Sequence, residues 1–81
     1  MRVLVLYFAA AKEAAGIASE TIDIAAGTTV AALLEHAVRS HPALARLANV
    51  LRVAVDERFA PSTHVLEAGD AVALLPPASG G

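Results

Sequence analysis

The most apolar stretch near the start of the chain is residues 3–8, Val-Leu-Val-Leu-Tyr-Phe, with small residues on its far side. Period-two geometry puts Val3, Val5 and Tyr7 on one face of a strand and Leu4, Leu6 and Phe8 on the other, so both faces are apolar and the strand belongs in the middle of a sheet. Residues 9–15 suit two weakly amphipathic helical turns that stop at Gly16, a residue able to take the left-handed C-cap conformation. Residues 20–24, Glu-Thr-Ile-Asp-Ile, alternate polar and apolar and predict an edge strand with one wet face, hairpin-paired with the first.

After a turn at Ala26-Gly27, Thr28 or Thr29 can cap a helix. Val30, Leu33, Leu34, Ala37 and Val38 then fall at i, i+3, i+4, i+7 and i+8, the clearest periodic signal in the chain. Its other face carries Glu35, His36 and Arg39, and Pro42 limits its length by biasing His41 away from α geometry. Residues 43–48 suit a short helical piece. Leu51, Val53 and Val55 alternate with Arg52, Ala54 and Asp56, which predicts a half-exposed strand ending in a turn at Asp56-Glu57. Arg58-Phe59-Ala60 predicts a short return strand ended by Pro61. A loop, a tight turn at Gly69-Asp70 and a last apolar strand over 71–75 complete the folded part.

This order, with one substantial helix against four to five strands, predicts an α+β domain. The first and last strands lie in the middle of the sheet, and part of the second sheet face stays uncovered for another protein. Composition strengthens that expectation. The chain has 81 residues, 57% hydrophobic and only 17% charged, an excess of apolar surface for a domain this small, although alanine supplies part of it. A net charge of −2 without a basic run disfavours nucleic acid. With no cysteine, neither disulfides nor thiol catalysis is available. No apolar run has membrane-spanning length, and Met1-Arg2-Val3 leads straight into a strand pattern rather than a signal peptide, so a cytoplasmic location is expected.

Candidate chemistry is sparse. His36, His41 and His64 have no metal-ligand spacing and are expected to be ordinary surface histidines; no metal site is expected. The carboxylate pairs Asp56/Glu57 and Glu67/Asp70 fall in turns beside water, a poor setting for acid–base catalysis. Neither a G-x-S-x-G elbow nor a Walker loop is present. The stretch that stands apart is the end, Pro76-Pro77-Ala78-Ser79-Gly80-Gly81. Two prolines hold it extended, two glycines leave its tip without side chains, and six extended residues reach about 20 Å, enough to thread a narrow channel in another protein. The domain is therefore divided into a folded part, 1–75, and a tail, 76–81. A carboxylate is a poor electrophile, so the carboxylate of Gly81 becomes reactive only if a partner activates it, for example as an acyl adenylate.

Several segments together resemble one family. The stretch from Tyr7 to Gly16, Tyr-Phe-Ala-Ala-Ala-Lys-Glu-Ala-Ala-Gly, is similar to an aromatic-Phe-Ala…Arg-Glu…Gly segment; Val53-Ala54-Val55-Asp56 is similar to an Ala-Val-Asn turn; and the stretch from Leu66 to Gly81 is similar to Leu-x-x-Gly-Asp-Glu-Val-x-x-x-Pro-Pro-Val-x-Gly-Gly. These are features of the small subunits of molybdopterin synthase, the MoaD-type sulfur carriers. Lys12, Asp56 and Ala71 depart from the usual Arg, Asn and Glu. Asp still tolerates left-handed geometry better than most residues, so the turn at 56 is expected to survive.

The resemblance implies a ubiquitin-like β-grasp fold: a mixed sheet covered on one face by a single main helix. It implies that an E1-like enzyme, using ATP and Mg²⁺, adenylates Gly81 and that sulfur then replaces AMP to give a thiocarboxylate. It implies that a large synthase subunit receives the tail, Pro76, Pro77, Ala78, Ser79 and Gly80, with Phe8 and Lys12 as further partner contacts, and that Gly81 donates sulfur to cyclic pyranopterin monophosphate. This chain itself is expected to bind no cofactor. A thiamine-pathway sulfur carrier, a ubiquitin-like protein modifier and a plain binding module remain alternatives. The two prolines and the Phe-Ala…Lys-Glu segment speak against the first, and a single lysine against polymeric self-conjugation.

Overall fold

The computed structural model describes residues 1–77. Five strands, β1 (Arg2–Tyr7), β2 (Ser19–Asp23), β3 (Arg52–Val55), β4 (Arg58–Phe59) and β5 (Ala71–Leu75), form one mixed sheet in the order β2-β1-β5-β3-β4. β1 runs parallel to β5 and antiparallel to β2, and β3 runs antiparallel to both β5 and β4. The two most apolar strands are therefore interior, as their composition requires, and the arrangement is the β-grasp that the resemblance implies. Two helices, α1 (Ala10–Ala15) and α2 (Val30–Ser40), and a 3₁₀ turn (Pro42–Arg46) make up the rest.

α2 begins where the Thr29 hydroxyl accepts a hydrogen bond from the Ala32 amide at 3.2 Å, satisfying one of the orphan donors of the first turn. Its buried residues, Val30, Leu33 and Ala37, meet Val3, Val5, Tyr7, Ile22, Val53, Val55, Val72 and Leu74 from one face of the sheet. Leu44 of the 3₁₀ turn and Leu66 of the loop between β4 and β5 belong to the same core.

Where the turns were expected, the structure supplies their mechanism. Asp56 and Glu57 take φ of 49° and 71°, two consecutive left-handed residues that reverse β3 into β4. Asp56 Oδ1 accepts from the Ala71 amide at 2.9 Å, so Asp performs the bonding that Asn could also give. Ahead of β5, Gly69 adopts φ 86° while Asp70 Oδ2 accepts from the Glu67 amide at 2.8 Å. Asp70 is buried rather than solvent-facing, because its carboxylate belongs to that turn.

β1 ends one residue earlier than its composition suggests. Ala9 takes φ 49° and ψ −124°, a conformation that suits glycine and strains an L-residue, and the chain bends there into α1. Ala9→Gly is expected to raise stability by about 1 kcal/mol, the relief of strain exceeding the added freedom of the unfolded chain. Urea titrations of the two proteins check this; an equal or lower midpoint for the glycine variant would show that the bend is unstrained.

Candidate functional site

Because neighbouring residues of a strand point to opposite sides, every core residue of the sheet has a counterpart on the other face. On β1 these are Leu4 and Leu6; on β5, Ala71, Ala73 and Leu75; on β3, Arg52 and Ala54; on β4, Phe59. The register sets them side by side: Leu4 against Ala71, Leu6 against Ala73, Ala54 against both Ala73 and Phe59, and Arg52 against Leu75. Among the described residues no helix covers this side. Leu4 stays 39% exposed, Phe8 44% and Phe59 67%. Alanines make a low floor between leucine and phenylalanine walls, an apolar surface of the kind that protein partners cover.

Two expectations change here. The run 3–8 is apolar on both faces but buried on only one. β3, in turn, is not half-exposed: Ala54 is only 8% accessible although it faces outward, since its short side chain lies between Ala73 and Phe59.

The parallel pairing of β1 with β5 brings the C-terminal ends of both strands to one edge of the sheet, with Tyr7 opposite Leu74. Phe8 lies at that edge, its amide donating to the Leu74 carbonyl at 3.4 Å. Lys12 is exposed on α1, immediately beyond, and forms no ion pair among the described residues. Pro76 is half-buried and Pro77 exposed, and the described residues end at this same edge. Ala78, Ser79, Gly80 and Gly81 lie outside the described residues.

On the core side of this edge is a polar cluster that the sequence did not disclose. Tyr7 donates its hydroxyl to Glu20 Oε2 at 2.6 Å, and His41 Nε2 lies 2.6 Å from the same oxygen, its ring edge-on to Tyr7 with centroids 5.5 Å apart. An ionised carboxylate only accepts, so Nε2 carries the proton. His41 is thus no ordinary surface residue; it ties the end of α2 to β1 and β2. Burial pushes the Tyr7 phenol up, and its bond to the Glu20 carboxylate pushes it further. For Glu20, burial acts upward, but the hydrogen bonds from Tyr7 and His41 and the charges of His41 and His36 outweigh it and hold the carboxyl below its usual range.

A carboxyl whose folded value is depressed stabilises the fold above its unfolded value, and that contribution disappears as pH falls through the folded value. Glu20→Gln is therefore expected to melt below the unmodified protein at neutral pH, with the gap narrowing as pH drops below about 4. Thermal melts across that range check it, and a gap independent of pH would assign the loss to shape rather than charge.

Among the described residues no group of three or more His, Cys, Asp or Glu side chains is placed to hold a metal ion, and no helix is long and apolar enough to cross a membrane. The carboxylates of Asp56 and Asp70 hold turns. The chemically distinctive surfaces among the described residues are thus the open sheet face and the edge that carries Phe8, Lys12 and Pro76.

Comparison with known proteins shows the family to which the chain belongs. The ThiS family matches residues 5–81. The molybdopterin synthase sulfur carrier subunit of Chlamydomonas reinhardtii is 34% identical over 100% of both chains. Among solved structures, SAMP1 of Haloferax volcanii, a small archaeal modifier protein, superposes with a TM-score of 0.90 at 30% identity over 100% of both chains. The Helicobacter pylori complex of subunits 1 and 2 of molybdopterin-converting factor contains a chain with the same fold, at a TM-score of 0.73 and 24% identity over 100% of both chains. The chain belongs to the ThiS family, has the ubiquitin-like β-grasp fold, and along its whole length resembles molybdopterin synthase sulfur carrier subunits.

Proposed function

We propose that this chain is the sulfur carrier of molybdopterin synthase. The observation that carries the proposal is the full-length identity to a sulfur carrier subunit of that enzyme, extending through the Pro-Pro-x-x-Gly-Gly ending. In this reading Gly81 is the mature C-terminus. An E1-like enzyme binds ATP and Mg²⁺, and a Gly81 carboxylate oxygen attacks the α-phosphorus, expelling pyrophosphate. A sulfur nucleophile then displaces AMP from the acyl carbon and leaves a thiocarboxylate, a better nucleophile than the carboxylate it replaces. The large synthase subunit covers the open face around Leu4, Leu6, Ala73 and Phe59, meets Phe8 and Lys12 at the edge, and takes residues 76–81 into its pocket. There the thiocarboxylate sulfur bonds to cyclic pyranopterin monophosphate, and water cleaves the acyl–sulfur bond, leaving the sulfur on the product and restoring the Gly81 carboxylate. Two sulfurs are needed for each dithiolene, so the carrier must leave and return, which suits a non-covalent dock.

The test is co-expression with an activating enzyme and a sulfur source, followed by intact mass measurement. Exchange of one oxygen for sulfur on the C-terminal peptide is expected; an unmodified chain would overturn the proposal. The likeness to SAMP1 favours a second reading, a protein modifier whose Gly81 forms isopeptide bonds with target lysines. The same experiment separates the two, because a modifier produces a series of larger conjugates.

A further inference from the structure

The open sheet face carries a cation, Arg52, that forms no ion pair among the described residues. Arg52 lies on β3 with its guanidinium carbon 4.8 Å from the centre of the Phe59 ring. Its attraction to the ring holds the guanidinium against an aromatic face, and none of its N–H donors takes part in the side-chain hydrogen bonds among the described residues. Neither of the ion pairs formed among the described residues includes it. The other end of the same face differs. Arg2 on β1 is already paired with Asp23 of the neighbouring strand at 3.2 Å, so its charge is answered within the chain.

We propose that Arg52, held on Phe59, is the specificity contact of the docking face and engages an Asp or Glu carboxylate of the large subunit. The inference rests on the docking described under the proposed function and adds what that surface selects for. Leu4, Leu6, Leu75 and Phe59 supply apolar area, which attracts partners without fixing their register. A partner that seals Phe59 must also remove water from Arg52, and a desolvated cation is costly unless a charged acceptor replaces that water. A carboxylate opposite Arg52 meets this need with two parallel hydrogen bonds and fixes orientation at the same time. Partners with an apolar or basic residue at that point are rejected.

Arg58 provides an internal control. It is exposed and only six residues away in sequence, but its pairing with the core residue Val55 puts it on the opposite side of the sheet from Arg52. Arg52→Glu, Arg52→Lys and Arg58→Glu would be titrated with the cognate large subunit by calorimetry at low and high salt, with urea midpoints measured alongside. Arg52→Glu is expected to weaken binding by about tenfold or more, most of it at low salt. Arg52→Lys should fall between, having lost the planar fork, and Arg58→Glu should stay within about twofold. If Arg52→Glu fails to fold, Arg52→Gln supplies the same comparison without the new charge. Binding by Arg52→Glu (or Arg52→Gln in its place) within about twofold of the unmodified chain, or an equal loss from Arg58→Glu, would overturn the proposal while leaving the docking intact. Failure of the unmodified chain to bind the large subunit would overturn both.

Discussion

A chain lengthened by one alanine after Gly81 is expected to form no molybdopterin and yet to unfold at the same urea concentration as the original. The two halves of this result have separate causes. Stability is unaffected because, among the described residues, the last member of the core is Leu74 and the last sheet pairing joins Leu75 to Arg52, both well ahead of position 81. Activity is lost because the added residue moves the terminal carboxylate about 3.5 Å beyond its former position. Where reacting atoms must be aligned, a displacement of only 1 Å can cost on the order of 100-fold. On the proposed mechanism the alanine also puts a Cβ at a tip that otherwise carries no side chain. Molybdopterin formation would be followed with purified large subunit and a chemically prepared thiocarboxylate, so that failure of the activating enzyme to accept the longer tail is not mistaken for failure of transfer. Normal product from the lengthened chain would remove the terminal-carboxylate mechanism.

Much of this architecture is legible in the sequence because the relevant forces are local. The spacing of Val30, Leu33 and Ala37 fixes α2 and its inward face, and Gly16 and Gly69 mark bends that need positive φ. The interior positions of β1 and β5 follow from their apolar composition. What the sequence does not disclose depends on residues far apart in the chain. Leu4 and Val5 are equally apolar, and only the presence of helices on one side of the sheet decides that Val5 is buried and Leu4 exposed. The Tyr7–Glu20–His41 cluster joins three elements, and none of the three residues has a sequence neighbour that announces it. Arg52 on Phe59 requires the β3–β4 register, which depends on the two left-handed residues at 56 and 57.

The 3₁₀ turn shows the same limit in energetic form, and Leu44→Ala is expected to be the most damaging truncation among the smaller elements. Read from the sequence, 43–48 is only a short helical piece. In the fold, Pro42 opens the turn, the Leu44 amide donates to the His41 carbonyl at 2.9 Å, and the Leu44 side chain is completely buried. The turn packs against both α1 and α2, so Leu44 fills the junction between the main helix and the edge where Phe8 and the tail begin. Removing a buried leucine side chain costs about 2–5 kcal/mol, the upper part of the range applying where the surroundings cannot collapse. A domain of this length has about 4–12 kcal/mol in total. Each kcal/mol corresponds to about 4–8 °C in Tm at this size, so a loss of at least about 10 °C is expected by calorimetry. Arg46→Ala, an exposed change in the same turn, should stay within about 0.5 kcal/mol of the original. A Leu44→Ala protein melting as close to the original as Arg46→Ala does would mean that the junction closes over the gap, and that the 3₁₀ turn is a connector rather than part of the core.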